Sequence, residues 1–235
     1  MTFSIEAIGE IRSPYQQKFA VPRQPGLVTA ACAEIHLHGD YAHPDSVRGL
    51  TEFSHIWVLF IFHETVAAGW QPLVRPPRLG GNTRKGVFAT RATYRPNGIG
   101  MSVVKLESVQ ADEHGVIIRV RGADWVNGTP VIDIKPYLPY AESIANAQGG
   151  FADARPHTAL TTVFSTEAEQ QLCQLEPHYP ELRLLISQVL NQDPRPAYKK
   201  AAHQEKVYGM SLYDLNIKWQ VSNGENQVIQ ISKDF

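Results

Sequence analysis

The first 140 residues hold a series of short apolar runs with almost no helical periodicity between them. The runs are Phe3 to Arg12, Ala30 to Leu37, His55 to Phe62, Val87 to Ala92, Met101 to Val109, Val116 to Gly122 and Val131 to Tyr137. Gly, Pro, Asn or Asp separates them, and only Pro44 to Glu52 suggests a helical turn or two. Strands that follow one another without crossover helices exclude a doubly wound parallel sheet. They predict a mainly β chain whose N-terminal domain is an antiparallel β-barrel or sandwich. His55 to Phe62, HIWVLFIF, is nearly all apolar and predicts a strand buried on both faces.

The pattern changes beyond Ala141 to His157 (AESIANAQGGFADARPH), a small, polar stretch that reads as a linker. Thr166 and Glu169 form a capping-box pair that predicts a helix to about Glu176. Leu182, Leu185, Ile186, Val189 and Leu190 then recur at helical spacing after Pro180, and Pro194 and Pro196 end that pattern. Tyr213, Leu215, Ile217, Trp219 and Val221 alternate, Asn223-Gly224 turns, and Val228 to Ile231 returns as a hairpin. Two domains are expected: a β-barrel over 1–150 and a small α+β domain over 155–235.

The 235 residues suffice for a sizeable core. No apolar run approaches the roughly 20 residues a membrane helix needs, and Met1 to Ile5 does not read as a signal peptide. Two distant cysteines, Cys32 and Cys173, make no disulfide framework, so a reduced cytoplasmic protein with no membrane partner is expected.

Charge is balanced overall, at a net -1, but not locally. Between Thr65 and Leu106 there is no Asp or Glu, whereas Arg75, Arg78, Arg84, Lys85, Arg91, Arg95 and Lys105 all lie there. Pro76-Pro77, Gly80-Gly81, Pro96 and Asn97-Gly98 break this stretch into turns. Cations spaced by turn residues, rather than set on one helix face, suit an anionic ligand, because small residues let backbone amides approach it.

Familiar chemical motifs are missing. Gly98-Ile99-Gly100 lacks the third glycine of a dinucleotide fingerprint, and Gly80 to Gly86 has no Lys followed by Ser or Thr, as a P-loop requires. His63-Glu64 lacks the second histidine of a zincin helix, and His36 and His38 share a strand face without a visible third ligand, so no metal site is expected. Polar clusters instead lie at strand ends, where loops carry function on a rigid scaffold. They are Pro22-Arg23-Gln24, His63-Glu64, Arg91 to Gly100 and Asp124 to Thr129.

Taken together, VPRQPGLV (Val21 to Val28), VRPPRLGGN (Val74 to Asn82), GVFATR (Gly86 to Arg91), RPNGIG (Arg95 to Gly100), NGTPVIDIKPYLPYAES (Asn127 to Ser143) and DPRPAYKK (Asp193 to Lys200) closely resemble the TsaA/TrmO-like family. This family comprises β-barrel, S-adenosylmethionine-dependent tRNA methyltransferases, and the match runs through essentially the whole chain. The resemblance implies methyl transfer from S-adenosylmethionine to N6 of threonylcarbamoyladenosine at position 37, next to the anticodon, by a homodimer. It implies cofactor contacts at Pro22, Arg23, Gln24, His63, Glu64, Arg91, Met101, Val126, Asn127, Gly128 and Thr129. It implies tRNA contacts at Arg95 and, in the small domain, at Arg195, Tyr198 and Lys199. The chain departs from the family's usual residues at Glu64, where an amide side chain is common, at Asn127 (commonly Asp) and at Gly98 (commonly Pro).

The chemistry such a reaction needs is consistent with these residues. Rate would come from positioning and from a preorganised electrostatic environment. The threonylcarbamoyl group makes the acceptor N–H urea-like, so a modest general base could assist, with Asp124, Asp133, Glu64 and His63 as candidates. Asp133 has a plainer alternative as the ion-pair partner of Lys135. Tyr94, Trp125 or Tyr137 could stack on a splayed base. The sequence leaves two other readings open: a noncatalytic RNA-binding barrel, and a methyltransferase with a different acceptor.

Overall fold

The computed structural model describes residues 2–156, 160–179, 181–195 and 206–233. The chain packs as two compact units. The first is built from Met1–Arg12, Ala33–Val120 and Gly128–Arg155, the second from Ser13–Cys32, Arg121–Asn127 and Pro156–Phe235. Ser13–Cys32 and Arg121–Asn127 are thus folded in with the C-terminal residues.

The first unit is organised around a closed six-stranded antiparallel barrel. Its strands are β1 (Gly9–Arg12), β2 (Cys32–Leu37), β3 (His55–Ile61), β6 (Ile99–Asp112), β7 (Gly115–Arg121) and β8 (Thr129–Pro136), in the order β1-β2-β7-β6-β3-β8. Closure leaves no free edge to pair with another chain. Alternate side chains fill the interior, among them Ile11, Ile35, Ile56, Val58, Val104, Val116, Ile118 and Val131.

Three local expectations change. β3 is not buried on both faces: Ile56, Val58 and Phe60 point inward while His55, Trp57, Leu59 and Ile61 are half-buried outside. The outer aromatics have partners of their own, since Trp57 Nε1 donates to Glu142 and its ring lies 6.1 Å from Tyr137. Phe3 to Arg12 yields a strand only from Gly9, where pairing with Leu37 and Val131 begins. Val87 to Ala92 is not a strand, because Val87–Ala89 winds into a 3-10 turn whose carbonyls are taken by Thr90 and Arg95. Two short strands, β4 (Leu73–Val74) and β5 (Lys85–Gly86), form a separate ladder with Leu73 opposite Gly86 and Val74 opposite Lys85.

The second unit is a four-stranded sheet, order β10-β11-β12-β9, with two helices. Its strands are β9 (Thr161–Phe164), β10 (Tyr208–Leu212), β11 (Leu215–Ser222) and β12 (Glu225–Lys233); its helices are α3 (Thr166–Leu175) and α4 (Leu182–Asn191). The α4 stripe Leu182, Leu185, Ile186, Val189 and Leu190 is fully buried, as its spacing predicts. The cap of α3 lies one residue earlier than expected: Ser165 Oγ accepts from Ala168 N at 3.2 Å. Ser13–Cys32 is tied in by Tyr213 N donating to Pro14 O (2.7 Å), by Gln188, which bonds Thr29 and Ala30 at 2.9 Å, and by Phe19 against Trp219.

Candidate active site

In the first unit, β3 runs into the one-turn helix α1 (His63–Val66), so His63 and Glu64 stand just past the end of a barrel strand. The neighbouring strand β6 starts at the same end, with Ile61 opposite Ile99, Phe60 opposite Gly100 and Leu59 opposite Met101. The RPNG turn that precedes β6 is bonded to this corner, with Phe62 N donating to Gly98 O at 2.8 Å. Two glycines allow the approach. A Cβ on Gly100 would come within 2.5 Å of the Phe60 ring, and one on Gly98 would meet Val66 Cγ2 at 3.0 Å. Gly98 also has φ +62, a value open to glycine and closed to proline. The proline that the resemblance leads one to expect at position 98 could not hold this turn.

Arg95 organises the rest of that corner. Its Nη1 donates to Thr90 O at 2.7 Å and to Val87 O at 3.2 Å, and its guanidinium carbon lies 5.9 Å from the Phe88 ring centroid. Arg91 follows directly on the loop that Arg95 holds, and its side chain is exposed. His63, Glu64 and Met101 thus lie toward one end of the barrel, beside the turn that Arg95 opens. Met101 is 55% exposed, a high value for a methionine on a strand. Gly128 and Thr129 also belong to this unit: Gly128 N donates to Ile11 O (2.8 Å) at φ +80, and Thr129 is buried opposite Ile11.

In the second unit, the PRQPGLV loop is pinned to the 121–127 segment. Gly26 N donates to Gly122 O (2.9 Å) and Gly122 N to Ala31 O (2.8 Å); a Cβ on Gly122 would sit 3.2 Å from the Gly26 backbone. Pro22 is buried and Arg23 exposed, while Gln24 Nε2 donates back to Arg23 O. Burial lowers the Arg23 pKa and the nearby Asp193 carboxylate opposes that shift. Val126 and Asn127 close the 121–127 segment. Asn127 Oδ1 accepts from Ser13 N at 3.1 Å and its backbone N donates to Tyr15 O at 2.7 Å. An aspartate could accept the Ser13 bond equally well.

Other expected residues are placed as follows. The Asp133 carboxylate accepts from Ile134 N at 2.8 Å and pairs with Lys135, the plainer of its two readings. Asp124 lies near Tyr15, whose phenol is pushed well above its ordinary pKa by burial first and by Asp124 second. Trp125 is 1% exposed, so it is core rather than a stacking platform, and Tyr94 and Tyr137 are half-buried. Arg195 is also buried, with its fork on Asp193 at 2.8 and 3.2 Å. Tyr198 and Lys199 lie outside the described residues. Among the described residues no cluster of His, Cys, Asp or Glu is arranged to hold a metal ion.

Around the β4–β5 ladder the charge stays uncompensated. Arg78 donates to the Ala154 carbonyl, and among the described residues Arg75, Arg84 and Lys85 have no carboxylate partner. No helix of the described residues is long and apolar enough to cross a membrane.

The first unit is thus a closed barrel with glycine turns and arginines near one strand-end corner. A family model described as the tRNA-methyltransferase O N-terminal domain matches residues 10–143, and one described as the TrmO C-terminal domain matches 157–234. An Escherichia coli (strain K12) protein named tRNA (adenine(37)-N6)-methyltransferase is 52% identical over 230 residues, covering 98% of each chain. A Pseudomonas aeruginosa relative, 46% identical over 93% of each chain, has a name that refers to S-adenosylmethionine-dependent methyltransferases. The crystal structure of TrmO from Pseudomonas aeruginosa superimposes with a TM-score of 0.83 at 38% identity, covering 99% of both chains. The chain belongs to the TrmO family.

Proposed function

We infer that this chain transfers the methyl group of S-adenosylmethionine to N6 of adenine 37 of tRNA, and that the adenine it methylates carries a threonylcarbamoyl group. The observation that carries this reading is the first unit's corner, where His63 and Glu64 past the end of β3 adjoin the RPNG turn, within a stretch from Thr65 to Leu106 that has no Asp or Glu.

The donor set fits S-adenosylmethionine, which presents a carboxylate, an ammonium and an adenine. Arg91 would donate to the carboxylate with charge-assisted bonds, and the exposed Glu64 would accept from the ammonium. His63, Met101, Gly128 and Thr129 would complete the first unit's contribution. The same expectation stands for Pro22, Arg23, Gln24, Val126 and Asn127 of the second unit. Bound S-adenosylmethionine supplies an electrophilic methyl on a sulfonium. The chain's part is to hold the acceptor in line and to receive its proton, with His63 and Glu64 the titratable groups at that corner.

Arg75, Arg84 and Lys85 would neutralise anticodon-loop phosphates, a contribution independent of sequence and sensitive to salt. Arg95 would contact the substrate at the loop it holds, and Tyr198 and Lys199 are proposed to serve the tRNA from the second unit, whereas the expected Arg195 contact gives way to its buried pairing with Asp193. A homodimer belongs to this reading, supported by Tyr140 (88% exposed) and Ile144 (73%), which leave apolar surface open on the first unit. A cytoplasmic location would follow from action on tRNA.

Labelled methyl transfer to two tRNA pools, with and without threonylcarbamoyladenosine, tests this. Label in the modified pool alone is the expected result. Label in both pools would remove the threonylcarbamoyl requirement, and label in neither, without cofactor binding, would leave a noncatalytic RNA-binding barrel.

A further inference from the structure

The aromatics that the sequence offers as base platforms are buried or half-buried, whereas Phe88 is 75% exposed. One exposed ring is ordinary on a protein surface and implies nothing alone. The way this ring is held is less ordinary. It sits on the 3-10 turn Val87–Ala89, between a buried Val87 and a Thr90 that accepts from Arg95. Val87 N donates to Pro72 O at 3.0 Å, and Val87 O accepts from Thr90 N (3.1 Å), Thr90 Oγ1 (2.9 Å) and Arg95 Nη1 (3.2 Å). The guanidinium that makes these bonds lies 5.9 Å from the ring centroid, in cation–π range. The turn is therefore fixed by its own backbone bonds, and presenting the ring costs little further ordering.

The surroundings select the occupant. The β4–β5 ladder sets Val74 opposite Lys85, so Arg75 and Arg84 flank that ladder, with Arg84 three residues before the Val87–Ala89 turn. No acidic residue occurs from Thr65 to Leu106. A second copy of the chain meeting this lobe across a two-fold axis would bring like charges together. A polyanion with exposed flat faces suits both features: phosphates for the cations, an unpaired base for the ring.

We propose that Phe88 is the platform on which an unpaired base of the tRNA anticodon loop stacks, with Arg95 backing the ring from the protein side. This rests on the reading of the chain as a tRNA methyltransferase and adds the residue that positions its RNA. The platform is distinct from the cofactor contacts, so its loss leaves S-adenosylmethionine affinity intact.

The test uses the full-length protein and tRNA carrying threonylcarbamoyladenosine, with Phe88→Ala, Phe88→Leu and Phe88→Trp. Removing one stacked base costs about tenfold or more in kcat/KM for tRNA. Phe88→Ala should show that loss, with unchanged thermal stabilisation by S-adenosylmethionine and an unchanged sedimentation coefficient. Phe88→Leu should not restore activity; Phe88→Trp should, with its fluorescence quenched on adding tRNA. An unaltered kcat/KM in Phe88→Ala would overturn the proposal. So would full rescue by leucine, or a change in sedimentation, since either would assign the ring to a protein interface. A wild-type protein that neither binds nor methylates tRNA would instead refute the parent reading, whatever residue stands at 88.

Discussion

The arginines of the second unit and those of the β4–β5 lobe are the same side chain put to opposite uses. In the second unit Arg183 forks onto Glu169 and lies 5.1 Å from the Phe164 ring centroid, Arg195 forks onto Asp193, and Arg121 pairs with Glu181. Cations elsewhere on the barrel are matched as well, as in Arg119–Glu34, Arg48–Asp45 and Lys135–Asp133. In the lobe, Arg95 and Arg78 donate to carbonyls, and Arg75, Arg84 and Lys85 face no carboxylate among the described residues. Where a cation is meant to hold structure an acid is supplied; where the acid is withheld, the field is left for a ligand.

Breaking a paired cation should cost stability and breaking an unpaired one should cost function. The largest effect is expected at Asp193. Asp193→Ala strands a buried guanidinium, which should lower the unfolding free energy by about 3 kcal/mol. Urea denaturation would measure it, and a loss below about 1 kcal/mol would show that Arg195 relaxes to solvent. Arg91→Ala should weaken S-adenosylmethionine binding about tenfold, a charge-assisted bond lost. Thermal shift with the demethylated product reads it, and undiminished stabilisation would remove Arg91 from the cofactor site. Gly98→Ala places a side chain at φ +62, 3.0 Å from Val66, and should cost about 1 kcal/mol in the same urea assay. The smallest effect is expected for the half-buried Arg183, where Arg183→Met should cost about 0.5 kcal/mol at neutral pH. Its hydrogen bond holds the Glu169 carboxyl below the ordinary range. That stabilisation is complete above the unfolded pKa of about 4.3 and is lost as the pH falls through the lowered folded value. The variant should therefore differ from wild type near neutrality and converge with it in acid; a gap that persists at the lowest pH would sink the ion-pair account.

The same comparison shows what a sequence can convey. The α4 stripe was legible because helical burial repeats in the chain itself, and the barrel because its strands alternate with turns. The lobe's field was legible because an absence of acids over a long stretch is visible without coordinates. The Ser165 cap was missed by one residue because Ser165 and Thr166 are both good caps and only the bond to Ala168 N chooses between them. The folding of Ser13–Cys32 with the second unit was missed because it depends on long-range bonds such as Tyr213 to Pro14. The burial of Trp125 and the exposure of Phe88 were missed for a related reason: burial of an aromatic is decided by its partners, and neither neighbourhood is written in the residues next to it. The GVFATR stretch held the one available signal, a phenylalanine amid turn residues and arginines, but its apolar run suggested a strand.

The measurement that bears most directly on the withheld acids is the salt dependence of tRNA methylation. The logarithm of kcat/KM for tRNA would be followed against the logarithm of salt concentration for wild type and for a variant with Arg75, Arg84 and Lys85 all changed to glutamine. Each phosphate contact contributes about 0.7 to 0.9 to that slope. The account predicts a slope shallower by about two for the variant, with S-adenosylmethionine affinity and unfolding midpoint unchanged. Parallel slopes would contradict it and return the lobe to the status of a solvated surface.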